Sequence, residues 1–395
     1  MQKKSESLNP TIKRLGTISF FADVASEMLY PITPIFLTAV LGASMSSLGV
    51  IEGAAEATAS LLKTFSGVWS DKLKKRKPFI VLGYFLGAIS KPLIGVATQW
   101  TVVLGARCLD RTGKGLRSAP RDALISESVT ADVRGSAFGW HRGMDTLGAA
   151  VGPLLTIGFL TNSPDPQSLK NLYFLALIPG LISVYIALTI KETKQAPIKS
   201  ENKMSHRFSF KFLNSNLKKY FFSWGVFSLA NSSDVFLLMR AKSLGLSMVY
   251  VVGLYCFYNL MYSFCSPFLG KISDHIPRKK ILIFGLLIYA LVYLGLSQAQ
   301  QGWQLIPLFA IYGLYMAATD GIGKAITVDF CEEQYKGTAL GFLGTVSGLT
   351  TIIASTFAGL LWDKFGPSAT FYYGALGAII SALLLLKVPA NSTQN

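Results

Sequence analysis

The sequence predicts an all-α membrane protein of twelve transmembrane helices in two pseudo-symmetric six-helix halves, and three observations carry that expectation. Hydrophobic residues make up 51% of the 395 and charged residues only 15%, against roughly 25% charged in soluble domains. Apolar runs long enough to cross a bilayer recur from one end of the chain to the other. One long polar stretch, Lys191 to Lys219, divides those runs six and six. The expected organisation is an N-terminal half at 1–190, a linker at 191–219 and a C-terminal half at 220–395.

In chain order the spans read as Leu15–Leu41, Ser47–Trp69, Phe79–Ala97, Thr101–Ser126, Gly135–Leu160 and Leu172–Ile190, then Tyr220–Met239, Met248–Leu269, Ile281–Ala299, Gln304–Val328, Gly337–Trp362 and Ser368–Leu386. Lys3, Lys4, Lys13 and Arg14 precede the first span, Lys72 to Lys77 follow the second, and Arg278, Lys279 and Lys280 follow the eighth. The linker after the sixth is basic as well, whereas the alternate loops hold only Lys170, Lys242 and Lys364. Basic loops stay on the cytoplasmic side. The sequence therefore predicts a multi-pass protein of the bacterial cytoplasmic membrane with both termini inside. The first apolar segment carries Asp23 and Glu27 and is too long for the core of a cleaved signal peptide, so it is expected to stay attached.

The formal charge of +16 would suit a nucleic-acid binder, but the bases sit in short loops between apolar runs and form no basic domain or aromatic-lined groove. Cys108, Cys256, Cys265 and Cys331 have no CxxC spacing and no histidine nearby, so neither a disulfide framework nor a metal site is expected. No nucleotide-binding loop, nucleophile elbow or HExxH spacing is present, which argues against an enzyme and against ATP-driven pumping, and no cofactor is expected. The expected partners are the lipid bilayer, a small-molecule substrate and protons, with the protein a monomer.

The fourth span holds the densest charge. Arg107, Asp110, Arg111, Lys114, Arg117, Arg121 and Asp122 fall within an arc of about 140° at helical spacing. A charge at the bilayer centre costs on the order of 2.5–3.5 kcal/mol even on a lenient scale, so these groups must face partners or water. They either line a substrate path or pair with acids on other helices. Arg121, Asp122 and, a turn before them, Arg117 read as nearer the cytoplasmic gate than the centre. Asp23 and Glu27 stand one turn apart on the first span; Glu52, Glu56 and Lys63 share a face of the second; His141 and Asp145 share a face of the fifth. Candidate substrate contacts are Arg107, Asp110, Arg111, Lys114, Arg142, Asp145, Asp234 and Asn259. Asp23, Glu27 and Glu56 are the candidate proton carriers, because a carboxylate that exchanges an apolar wall for a basic neighbour binds and releases a proton.

The two halves echo each other. Gly67-Val-Trp-Ser-Asp71-Lys72-Leu-Lys-Lys75-Arg76-Lys77 closes the second span, and Gly270-Lys-Ile-Ser-Asp274-His-Ile-Pro-Arg278-Lys279-Lys280 closes the eighth. Asp110-Arg-Thr-Gly113-Lys114 is repeated more weakly as Asp320-Gly-Ile-Gly323-Lys324. The first two loops resemble the Gly-x-x-x-Asp-Arg/Lys-x-Gly-Arg-Arg/Lys-Lys signature of the major facilitator superfamily, with Lys74 and Pro277 where the later glycine would stand. The resemblance covers nearly the whole chain and implies two six-helix halves that rock about a central site. It implies a gating role for Gly67, Asp71, Lys72, Arg76, Gly270, Asp274 and Arg278, with Asp122 or Glu127 as the partner acid. Gly148-Ala-Ala-Val-Gly152-Pro153 resembles the superfamily's antiporter motif without its final glycine pair; close helix packing explains it equally well. Phe20 to Pro31, Glu52 to Glu56, the charged run of the fourth span, His141 to Asp145 and Asn231 to Asp234 together resemble a bacterial branch of the superfamily that implies no particular substrate.

The function these features predict is secondary active transport of a small organic solute, anionic or zwitterionic, by proton-coupled alternating access, with export by antiport favoured. Uptake of an organic anion by symport and a non-transporting sensor are the alternatives.

Overall fold

The computed structural model describes residues 9–130, 134–162, 165, 168–191, 213–332 and 335–389. Most of the expected linker, residues 192–212, lies outside the described residues, as do Lys3 and Lys4. Among the described residues regular structure is helical, with no strand. The helices are α1 (Pro10–Glu27), α2 (Thr33–Ile35), α3 (Met45–Leu73), α4 (Lys77–Gly95), α5 (Trp100–Glu127), α6 (Arg134–Asn162), α7 (Leu169–Leu175) and α8 (Leu177–Leu188), followed by α9 (Ser215–Ala230), α10 (Val235–Ser243), α11 (Met248–His275), α12 (Arg278–Gln298), α13 (Leu305–Asp329), α14 (Lys336–Phe365) and α15 (Pro367–Leu386). With α1–α2, α7–α8 and α9–α10 each forming one span, they make twelve.

Among the described residues eight segments are long and apolar enough to cross a membrane by length and composition. The remaining four spans are the first, second, fourth and seventh. Each of these four carries several intramembrane charges or a break of several residues in the helix.

Three spans expected as single helices are interrupted, the sixth only at Ala176 between α7 and α8, the first and the seventh over several residues. The first stops at Glu27, runs through turns from 28 to 32, and resumes in α2 and a π-helical turn at Phe36–Val40. Pro31 supplies the cause, since its ring clashes with the carbonyl four residues earlier, that of Glu27, and it has no N–H to give. The seventh stops at Ala230, and Asn231 to Ser233 are not helical. Short polar side chains there compete for the backbone groups a helix would use. Each of the two longer breaks is repaired from a neighbouring helix. Thr156 Oγ1 on α6 donates to the Met28 carbonyl at 2.6 Å, and Ser355 Oγ on α14 accepts from the Ser233 N–H at 3.1 Å.

The chain divides into two compact units, Met1–Phe36 with Thr58–Met204, and Leu37–Ala57 with Ser205–Asn395. A division at the linker alone would leave Leu37–Ala57 with the first half. These residues group with the second because α3 lies backbone to backbone on α14. A Cβ at Gly49 would sit 2.0 Å from the Ser355 carbonyl oxygen, and one at Gly53 would sit 2.5 Å from Ile352 Cα. The Asp363 carboxylate also accepts the Met45 and Ser46 N–H groups at 3.0 and 2.8 Å, which satisfies and neutralises the positive end of α3.

In the first unit α1 packs on α6 and α8, and α4 on α5 and α8. Its core includes Ile12, Leu15, Ile18, Ile80, Tyr84, Leu124 and Ala187. In the second, α12 packs on α13 and α15, α11 on α13, and α9 on α15. Large rings dominate this second core: Tyr220, Phe227, Tyr289, Tyr293, Phe309, Tyr312 and Phe371 are each almost fully buried.

Both units reuse the same devices. Asn9 caps α1 and donates to the Ser128 carbonyl at 2.8 Å; Asn214 caps α9 and donates to the Phe330 carbonyl at 2.6 Å. Arg76 meets Glu127 at 2.8 Å and Arg278 meets Asp329 at 2.5 Å, each pair separated by 51 residues. Gly42 and Gly245, with φ of 64° and 82°, make the turn after each unit's first span.

Candidate substrate and coupling site

The charged stripes of α1 and α5 meet inside the first unit. A cavity of about 50 Å³ is lined by Asp23, Ser26, Glu27 and Tyr30 on one side and by Arg107, Asp110, Arg111, Lys114 and Arg117 on the other. Helical spacing explains both walls, because 23, 27 and 30 form one stripe and 107, 110, 111, 114 and 117 another. Two acids and a phenol therefore face four bases and one acid. Six residues of the sequence expectation come together here: Asp23, Glu27, Arg107, Asp110, Arg111 and Lys114.

Arg117, which its place along the span assigned to the gate side, belongs to the same cavity wall. It lines the cavity, is only 8% exposed, and stacks its guanidinium 4.4 Å from the centre of the Tyr84 ring. Glycine contact between α4 and α5 puts it there. A Cβ at Gly113 would lie 2.4 Å from the Gly83 carbonyl oxygen, and one at Gly83 would lie 2.6 Å from Arg117 Cβ. The same crossing brings Lys91 Nζ to 3.4 Å from Asp110 Oδ1, while that ammonium also donates to the Gly87 carbonyl at 2.6 Å. Asp110 is thus partnered from α4. The Nε atoms of Arg111 and Arg117 are buried and have no hydrogen-bond partner among the described residues.

Behind the α1 wall lies a second polar group on α6. Asp145 accepts from Ser19 Oγ at 2.7 Å on one oxygen and from Arg142 Nη1 at 3.2 Å on the other. Its carboxyl group lies beside that of Asp23 across the α1–α6 contact. The sequence that resembles an antiporter motif makes this contact possible, since a Cβ at Gly148 would meet the Phe20 carbonyl oxygen at 2.4 Å and one at Gly152 would meet Val24 O and Met28 N at 2.8 Å. Arg142 and Asp145 do not line the cavity, and the Arg142 side chain is 69% exposed.

The second unit offers different chemistry. Asp234, beside the break of the seventh span, accepts from Tyr312 Oη at 2.7 Å and from Tyr258 Oη at 3.1 Å. Tyr258, Tyr312, Tyr315, Tyr289 and Tyr293 then continue ring to ring from this carboxylate. Asn259 spends its amide on the Tyr255 carbonyl of its own helix. The weak sequence echo carries different contacts, because Asp320 pairs with Lys324 one turn away at 2.7 Å and accepts from Tyr262 Oη at 3.1 Å. Glu52 is buried and Glu56 exposed on the part of α3 that belongs to this unit.

At the loop after α3, Arg76 Nη1 lies 2.5 Å from Asp71 and 2.6 Å from Ser70 Oγ, while Nη2 reaches Glu127. Burial pulls this guanidinium down, but the hydrogen bonds to Glu127 and Asp71 outweigh it and hold it above its ordinary value. Asp122 is engaged by Arg121 of its own helix at 2.9 Å. Gly67 packs beside Ala119 of α5, Lys72 is exposed in the last turn of α3, and Gly270 has open space over its α-carbon. The side chain of Asp274 lies outside the described residues. Lys74, where the resembling signature has glycine, adopts φ of 50°, a left-handed conformation that costs a side-chain-bearing residue roughly 1–2 kcal/mol. Pro277, at the same place in the second loop, has φ of −50°.

The sequence model of the Major Facilitator Superfamily matches residues 15–258 and 252–395. The chain belongs to that superfamily. It is 37% identical to an uncharacterized MFS-type transporter of Methanocaldococcus jannaschii, with 98% of each chain covered. It is 24% identical to citrate exporter 1 of Aspergillus niger over 37% of this chain and 28% of that one. Among solved structures, the nucleoside transporter NupG superimposes with a TM-score of 0.80 at 12% identity, covering 96% of this chain and 99% of that one. This major facilitator protein is therefore a multi-pass membrane transporter of small molecules and not an enzyme.

The site residues the sequence missed are Lys91, Arg117 as a cavity wall, Ser19, and the tyrosines Tyr258 and Tyr312. Lys91 had a signal, being a charge in the interior of an apolar span. The tyrosines had none, because a ring in a hydrophobic helix reads as packing.

Proposed function

We propose that the protein is a secondary active transporter that moves an anionic or zwitterionic small organic solute across the cytoplasmic membrane by proton-coupled alternating access, exporting it by antiport. The observation that carries this reading is the first unit's cavity, where four bases on α5 face Asp23 and Glu27 across a space bounded by membrane-spanning helices. Guanidinium groups hold carboxylates and phosphates bidentately, and the acids opposite offer a proton or a place for the positive end of a zwitterion. The name of the partially matching Aspergillus niger relative, a citrate exporter, agrees with an anionic solute and an outward direction.

Under this reading both termini and the linker are cytoplasmic, and Arg76 and Arg278 with their acids hold the loops of the cytoplasmic gate. Gly67, Asp71, Lys72, Asp122, Glu127, Gly270 and Asp274 complete it.

The test uses thermal stability of the purified protein with citrate, other organic acids, amino acids and organic amines, since a ligand of the folded state raises the melting temperature. Carboxylate-bearing solutes are expected to stabilise the wild type and not Arg111→Ala or Lys114→Ala. Stabilisation by amines alone would overturn the anionic assignment. In proteoliposomes, an imposed inward proton gradient should drive the stabilising solute out, and transport indifferent to that gradient would remove the coupling. Reporter fusions that place residues 192–212 outside would remove the topology.

A further inference from the structure

We propose that Asp23 and Asp145 form a carboxyl pair that holds one proton between them at the edge of the substrate cavity, and that His141 is the relay through which this proton leaves. Its role in transport rests on the proton-coupled reading above; the pair itself does not.

The argument begins with the packing of α1 on α6. Gly148 lets the two backbones touch, and the Cβ position there lies 3.1 Å from Asp23 Cβ. Asp145, one turn earlier on α6, faces the same stretch of α1, because Ser19, one turn before Asp23, donates to it at 2.7 Å, and the two carboxyl groups are thereby set side by side. An ionised carboxylate is an acceptor only, so two of them make a hydrogen bond when one carries a proton. Asp145 is fixed as the acceptor, because Ser19 donates to one of its oxygens and Arg142 to the other. The proton therefore sits on Asp23. Asp23 also lines the cavity, so the proton is held where a solute would bind.

The second observation lies one turn further along α6. His141 is 5% exposed, and its Nε2 is buried with no hydrogen-bond partner among the described residues. An imidazole accepts a proton on one nitrogen and gives it up from the other, and this one stands beside Asp145 on the same helical face. The surrounding charges fit a route and not a trap. Asp23 is faced by Glu27 from α1 and by Arg117 from α5. Asp145 is faced by Arg121 from α5 and Arg142 from α6. His141 is faced by Arg121 and Asp122 from α5 and by Asp145 and Arg142 from α6. Tyr84 of α4 stands near Arg121, and α8 adds only the exposed Tyr185. The transfer is balanced, because the proton that Asp23 takes from the cavity passes to Asp145, then His141, and leaves at the N-terminal end of α6. No other bond changes.

The experiment is infrared difference spectroscopy of the purified protein at neutral pH without solute, reading the C=O stretch of protonated carboxyls. The wild type is expected to show such a band. Asp23→Asn should abolish it, Asp145→Asn and the milder Ser19→Ala should shift it, and Glu27→Gln should leave it in place. Absence of the band from the wild type, or its survival unshifted in both aspartate variants, overturns the pair. His141→Gln should keep the band but slow its loss after an alkaline jump by about two orders of magnitude; an unchanged rate overturns the relay. Because no solute is present, a failed pair leaves proton coupling open to other groups. A confirmed pair with no proton-driven transport would sink only the coupled reading.

Discussion

The two units are built on one plan and hold opposite chemistry. Each has a broken first span, an asparagine that caps it and reaches a carbonyl beyond the fourth helix, and an arginine paired with an acid 51 residues later. The contacts that survive in both halves are those that fix where helices start and how they cross. Inside, the first unit sets Lys91, Asp110, Arg117 and Asp23 among fixed charges, whereas the second leaves Asp234 to two phenols within a field of rings. Duplication has preserved the positioning contacts and let the cavity walls diverge.

That contrast is most exposed at its ionic end. Lys91→Met removes the partner of Asp110 and should cost about 3–5 kcal/mol, because an acid is left unpaired in a low-dielectric interior. The double change Lys91→Met with Asp110→Asn should recover most of that loss in thermal unfolding; failure to recover would mean that Asp110 draws its compensation from the α5 arginines. The repeated arginines come next. Arg76 is 9% exposed and Arg278 is 32% exposed at the side chain, so Arg76→Ala should cost about 3 kcal/mol and Arg278→Ala about 1 kcal/mol or less. Equal losses would break the claim that burial differs between the two copies. Arg76 is held above its ordinary range, so its contribution is present at all pH values below that range and would be lost only in strong alkali as pH rises through its folded value.

In the second unit, Tyr312→Phe removes one of two donors to Asp234 and should cost about 1.5–3 kcal/mol. Tyr258→Phe, whose bond is longer, should cost less, and the order is read from melting temperatures. The smallest effect is expected at the first gate loop, where Lys74→Gly should stabilise by about 0.5–1 kcal/mol by relieving the left-handed lysine. A loss of stability there would show that the lysine side chain contributes more than its backbone costs.

The spans, their count and the duplicated loops were legible because hydropathy and loop charge are properties of consecutive residues. The ionic face of α5 was legible because periodicity fixes which side chains share a side. What neither property carries is how helices cross. Lys91 meets Asp110, and Arg117 enters the cavity wall, only because Gly83 and Gly113 let α4 and α5 touch. Leu37–Ala57 joins the second unit for the same kind of reason, through Gly49 and Gly53 against α14. The breaks at Pro31 and Asn231 lay inside windows whose mean hydropathy hides single residues. Asp23 and Asp145 were each visible as candidates, but not as one pair.

The left-handed lysine also fixes a register. Three residues, Lys74 to Arg76, separate α3 from α4, whereas two, Ile276 and Pro277, separate α11 from α12, and the left-handed turn at Lys74 lies in the longer connection. The loops are therefore not interchangeable cassettes. A chimaera carrying the shorter loop between α3 and α4 would have to break the Arg76–Glu127 contact or wind α4 round by about 100°. In the second case Lys91 would be turned away from Asp110, and a change at the surface would be paid for at the centre of the first unit.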